Sequence, residues 1–256
     1  MKPILLVHGN GGSRTRFEPS IPMLQAALPN SRMFIPSLSG FDGRPLPKSD
    51  NYWDVFIQEL SETVEPEREA EWVLYGHGIG GSLLMEWGAR GFPLQGGGKL
   101  KVSKVILHSI IGAALEVRFF PQLMKTRPVR WLMKKAIVSR LLRPIWIRRL
   151  FRHPENIPSA LRNQFFEDYR SCDAFSVFFD LIVPEWYQAV RPSLQQLPLI
   201  FLWGEKERIL KAEHLPLWKQ DFPQAQFEVV PSWDHFPMLD EPEDFVRKFV
   251  LLATSR

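Results

Sequence analysis

Residues 72–81 read Trp72-Val73-Leu74-Tyr75-Gly76-His77-Gly78-Ile79-Gly80-Gly81. A short apolar run stops at a Gly-x-x-x-Gly turn. A helical pattern, Ser82-Leu83-Leu84-Met85-Glu86-Trp87, follows it. This is the strand–turn–helix context of the Gly-x-Ser-x-Gly elbow, which holds its central residue on a sharp, strained turn. The central residue here is Gly78, which carries no side chain.

Outward from the elbow, short apolar runs alternate with helical patterns. Pro3–Val7 reads as a buried strand stopped by His8-Gly9-Asn10-Gly11-Gly12, and Arg32–Pro36 as a second strand. A helix fits Phe17–Leu28. Asp50 can cap another over Tyr52–Val64, with Trp53, Phe56, Ile57 and Leu60 on one stripe. Strands are expected at Trp72–Tyr75, Lys104–His108, Leu199–Trp203 and Phe227–Val230. Helices are expected at Gly80–Arg90 and Phe245–Leu252. Such alternation predicts an α/β fold, a mostly parallel sheet with helices on both faces. The stretch between residues 108 and 199 has no strand signal, so residues 112–192 are expected to form a helical cap inserted into a core of residues 1–111 and 193–256.

Four pieces in order resemble the α/β-hydrolase superfamily, esterase- and lipase-like with a cap. They are His8-Gly9-Asn10-Gly11, the elbow Gly76-His77-Gly78-Ile79-Gly80, the loop Trp203-Gly204-Glu205-Lys206-Glu207-Arg208, and Ser232-Trp233-Asp234-His235-Phe236. The resemblance implies an α/β-hydrolase fold and places the nucleophile position at Gly78, the acid at Glu207 and the histidine at His235. It also implies an oxyanion hole built from the N–H groups of Asn10 and Ile79. Glu205 is the nearest competitor for the acid. In such a site the carboxylate fixes the imidazole tautomer, the imidazole takes a proton, and two N–H donors meet the developing oxyanion. With glycine at position 78 the donors, acid and base are in register and the nucleophile is missing.

Other polar residues carry less. His8 and His77 read as packed, Ser82 faces the core from one turn into its helix, and Ser109 follows a strand. Neither serine sits on an elbow. Gly76 to Gly81 also spell Gly-x-G-x-x-Gly, but the acidic residue expected ~20 positions on is absent. The six histidines are scattered without paired metal-ligand spacing, so neither a cofactor nor a metal is expected.

Composition sets the setting. The 256 residues are 45% hydrophobic and 23% charged, ordinary for a globular protein. Cys172 is the single cysteine, so no intramolecular disulfide can form. The apolar stretch in Met1–Gly9 is too short for a signal peptide, and no run approaches the ~18 residues of a membrane span. A cytoplasmic protein is expected. Residues 117–154 carry 11 Lys or Arg and no Asp or Glu, while the rest of the chain carries 21 basic and 28 acidic residues. In a helix from Pro144 to Arg152, Trp146, Ile147, Leu150 and Phe151 fall opposite Arg148, Arg149 and Arg152. This segment is either a solvated lid or a surface for anionic lipid or an acidic substrate. Charge alone would also suit nucleic acid, but no recognised module accompanies it.

Three functional readings follow. One is an ester- or lipid-cleaving scaffold silenced at Gly78, naturally or by design. Another is a non-catalytic binding or regulatory protein that uses the cleft and the basic cap to hold an acyl or lipid-like small molecule. The last is an enzyme without a covalent intermediate, using a Glu207–His235 dyad as general base on water or on a substrate proton.

Overall fold

The computed structural model describes residues 2–113, 115 and 122–255. Residues 114 and 116–121, at the start of the expected insertion and including Arg118 of the basic segment, lie outside the described residues.

Six strands form one all-parallel sheet: β1 Ile4–Val7, β2 Met33–Phe34, β3 Glu71–His77, β4 Lys101–His108, β5 Leu199–Gly204 and β6 Gln226–Val230, in the order β2-β1-β3-β4-β5-β6. β1 and β5 are buried at every position, which is why they read as unbroken apolar runs rather than alternating ones. Alternate residues of β3 feed two cores. Trp72 and Leu74 face one and Val73 and Tyr75 the other, as the two-residue period of a strand requires.

Helices cover both faces. On one side lie α2 (Tyr52–Val64) and α3 (Ile79–Ala89). On the other lie α1 (Ile21–Ala27) and the closing helix Pro242–Thr254. The expected stripe of α2 is buried, but the cap is Asn51, not Asp50: the Asn51 side chain accepts from the Trp53 N–H. The helix expected over Phe17–Leu28 starts only at Ile21. A 3-10 turn, Arg14–Phe17, precedes it, capped by the Ser13 side chain. β3, β4 and the closing helix run a few residues longer than their apolar cores suggested, and β5 and β6 one residue longer, because ladder and helix hydrogen bonds extend into flanking residues; β1 and β2 are shorter than expected, starting at Ile4 and spanning only Met33–Phe34.

Between β4 and β5 the described residues form helices and turns and no strand. α4 is Arg127–Val138, α5 Arg143–Leu150, α6 Ser159–Ser171, α7 Phe178–Leu181 and α8 Pro184–Leu194. α8 lies against α3: Trp186 stacks on Trp53 and donates to Glu86, and Val190 and Leu194 enter the α3 core. The boundary expected at residue 192 therefore falls inside a helix of the sheet's own covering layer.

The strand order reverses direction between β1 and β3. In open α/β sheets that switch point, at the carboxyl ends of the strands, is where ligands bind. The register aligns Val7 with Gly76 and His77 with His108. The loops leaving β1, β3 and β4 thus emerge together.

Candidate active site

The elbow is built by close approach. A Cβ on Gly80 would lie 2.5 Å from the Val7 carbonyl oxygen, and one on Gly76 would lie 2.5 Å from the Gly81 nitrogen. Real Cβ contacts do not reach such distances, so glycine at both positions lets α3 start directly over β1 and β3. Gly78 differs. Its φ is 54° and ψ −122°, a backbone conformation that costs an L-residue energy, yet a Cβ there would meet only Gly9 Cα, at 3.7 Å. The position has the strain of an elbow and the space for a side chain.

The acid and histidine loops are stitched to each other. The Lys206 N–H donates to the Trp233 carbonyl at 3.0 Å, and the Arg208 N–H donates to Asp234 Oδ1 at 3.0 Å. The Arg208 guanidinium also pairs with Asp234, so Asp234 points away from the cleft. Gly204 allows the crossing, since a Cβ there would clash with the Trp233 carbonyl at 2.2 Å. This framework sets Glu207 Oε2 2.7 Å from His235 Nδ1, with the Glu207 side chain wholly buried. Glu207 Oε1 accepts from the N–H groups of Ile209 (2.7 Å) and Leu210 (3.0 Å). Burial alone would push this carboxyl up. His235 and the two backbone donors outweigh it and hold the group down at about 2. Glu205 is exposed and pairs with Lys206.

His77 contributes what its place in the motif did not reveal. It is buried and its Nε2 lies 2.9 Å from the main-chain carbonyl of His235; the two rings are 4.6 Å apart between centroids. Burial, followed by the neighbouring His235 and His108, keeps its imidazole well below its ordinary pKa. His8 is buried against Phe41, and burial lowers it to about 4. At the end of β4, the Tyr75 hydroxyl bonds His108 Nδ1, and burial lowers His108 to about 3. The His108 carbonyl accepts from the Gly78 N–H at 3.0 Å. His108 Nε2 and Ser109 Oγ are buried without a hydrogen-bond partner among the described residues, and Ser109 has a φ of 44°. Ser82 donates to the Ile111 carbonyl, away from the elbow.

Asn10 and Ile79 sit on the two loops that meet at Gly9 and Gly78. Ile79 is the first residue of α3, so its N–H has no acceptor one turn back and lies at the positive end of the helix. The Asn10 side chain donates to the Phe175 carbonyl and accepts from the Gly11 N–H. A second anchor ties this loop to the insertion. Arg16, in the turn after it, pairs with Asp168 of α6 in a fully buried contact and bonds the Gly11 carbonyl. Its guanidinium lies 3.7 Å over the Phe165 ring. Ser13 and Thr15 also donate to Asp168. No sequence pattern announced this network; Ser13, Thr15 and Arg16 each lie more than 150 positions from Asp168.

Among the described residues, no group of three or more His, Cys, Asp or Glu could hold a metal ion. No helix there is long and apolar enough to cross a membrane.

The sequence pattern of the alpha/beta hydrolase family matches residues 4–248. Lipase 1 of Psychrobacter immobilis is 24% identical over 97% of this chain and 76% of its own length. Among solved structures, a putative lipase from Acinetobacter baumannii superposes with a TM-score of 0.73 at 18% identity, over 98% of this chain and 83% of that one. A putative aryl esterase from Burkholderia cenocepacia also gives 0.73 at 18% identity, over 100% and 92%.

Proposed function

The chain belongs to the alpha/beta hydrolase family, and from that premise we propose that it is an ester- or lipid-directed hydrolase scaffold whose acyl-serine step is deleted at Gly78. It holds an acyl or lipid-like ligand at the carboxyl ends of the strands without forming a covalent intermediate. One observation carries this reading: the elbow backbone remains, with open space above Gly78, beside a hydrogen-bonded Glu207–His235 pair. Lipase and esterase relatives support the ester class. Asn10 and Ile79 would supply the N–H donors to the ligand's carbonyl oxygen.

A second reading is favoured by the retained dyad itself. His235 Nε2 could take a proton from a water standing where the serine hydroxyl would be. The hydroxide would add to the ester carbonyl, and the tetrahedral species would expel an alkoxide that recovers the proton from His235.

Incubation with an activated acyl ester separates the readings. The first predicts neither an acyl adduct by intact mass nor phenol release beyond the buffer rate. Turnover without an adduct, lost in His235→Ala, would establish the second. An acyl adduct mapped to this cleft would contradict both.

A further inference from the structure

We propose that the outer face of the α4–α5 hairpin is a docking surface for an anionic lipid bilayer. Large exposed hydrophobic side chains are concentrated there. Trp131 and Leu132 are each 62% exposed, Leu141 90% and Ile145 63%, with Leu123 and Leu142 beside them. Elsewhere among the described residues, only Leu217, Val229 and Leu251 are comparable.

The helix has a filled inner face and an unfilled outer one. Val129, Met133 and Ile137 pack on the core. The buried Arg130 pairs with Asp180 and bonds the Met124 carbonyl, and Lys134 bonds the Cys172 carbonyl. Arg127, Trp131, Leu132 and Lys135 fall on the opposite arc and are exposed. Lys135 lies 5.7 Å over the Trp131 ring. The turn that follows exposes Arg140 and Leu141, and Trp146 of α5 fastens the hairpin by donating to the Ala136 carbonyl. Lys125, Arg127, Lys135, Arg140 and Arg148 have no carboxylate partner among the described residues, whereas Arg143 is paired with Glu167.

The chemistry selects the occupant. Two copies of this face would repel each other, because residues 117–154 hold no acidic side chain. Between Thr126 and Arg149, Thr126 and Ser139 are the only residues with a hydroxyl or amide side chain, so the face offers cations and apolar groups but almost no side-chain acceptors for a protein partner. Lysine and arginine among leucine, isoleucine and tryptophan is what an interfacial element presents: cations for lipid headgroups and apolar tips for the acyl boundary. The inference is independent of the reaction assigned to the cleft.

Co-sedimentation with phosphatidylcholine vesicles, with and without phosphatidylserine, tests it. Binding is expected only with phosphatidylserine, and it should weaken as salt rises, since screening shortens to ~8 Å at ~0.15 M. Each surface cation near an anionic bilayer contributes about fivefold. The Lys135→Glu/Arg140→Glu variant should therefore lose at least about 25-fold. Trp131→Ala/Leu141→Ser should lose about tenfold. Leu251→Ser, exposed on the closing helix and outside the hairpin, should bind like the parent. All these side chains are on the surface, and unchanged thermal unfolding will show that the variants fold. Absent binding, equal binding to neutral vesicles, or variants that bind like the parent would overturn the proposal. So would a dimer or an acidic-polypeptide complex that needs the same residues in the absence of vesicle binding.

Discussion

His77 and His235 are joined by a hydrogen bond from the His77 Nε2–H to the His235 main-chain carbonyl, at 2.9 Å. A carbonyl only accepts, and burial keeps His77 neutral, so Nε2 carries the proton. The residue that precedes the elbow glycine thereby holds the loop of the histidine. The separation of elbow and histidine does not depend on any side chain at position 78.

The elbow glycines should differ sharply in tolerance. Gly80→Ala forces a Cβ against the Val7 carbonyl and is expected to cost about 3 kcal/mol or more. Gly78→Ala meets only a contact at 3.7 Å and should cost about 1–2 kcal/mol through its positive φ. Denaturant unfolding of the two variants checks this. Equal losses would contradict the packing account of the elbow.

The Arg16–Asp168 pair should hold the loop of Asn10 to α6. Asp168→Ala leaves a buried guanidinium without its carboxylate and is expected to cost about 3–5 kcal/mol. Arg16→Met/Asp168→Leu, which removes both charges, should cost clearly less. If the double variant is as unstable as the single, the charge pairing is not what the site supplies.

Stability should fall with acid before the carboxylates titrate. His8 and His108 are held at about 4 and about 3 against an ordinary 6.5, and His77 also lies well below it. The unfolded chain therefore binds more protons than the native one below pH 6.5. Stability is full above that value and is lost as pH falls toward the folded values. Each such histidine should remove about 2 kcal/mol between pH 7 and pH 5. Glu207 adds a further loss between its ordinary 4.5 and about 2. Thermal unfolding across this range is the measurement, and a flat melting temperature from pH 7 to 5 would contradict buried neutral histidines.

Much of the fold was legible because it is written in local pattern. The apolar runs at Ile4–Val7 and Leu199–Gly204 are fully buried strands, and the stripe of α2 faces the core. Glu207 and His235, 28 positions apart, could be paired in advance only through the resemblance of their flanking motifs. The resemblance puts the acid at Glu207 with Glu205 as its competitor, and the loop turns Glu207 inward while it leaves Glu205 with Lys206. Asn51 was missed as a cap because Asp50, beside it, is an equally good capping residue by type. The roles of His77 and Arg16 were hidden because both depend on residues that only the tertiary fold brings near. The helix Leu215–Asp221, between β5 and β6, went unread because Pro216 and its short length blur the period.

The central claim is that only the nucleophile is absent. Labelling by a fluorophosphonate, which reacts with an activated serine, tests it most directly on the parent, on Gly78→Ser and on Gly78→Ser/His235→Ala. The account predicts no labelling of the parent, labelling of Gly78→Ser at residue 78, and its loss in the double variant. A folded Gly78→Ser protein that stays unlabelled would contradict it, because the dyad and donors would then not be in working geometry.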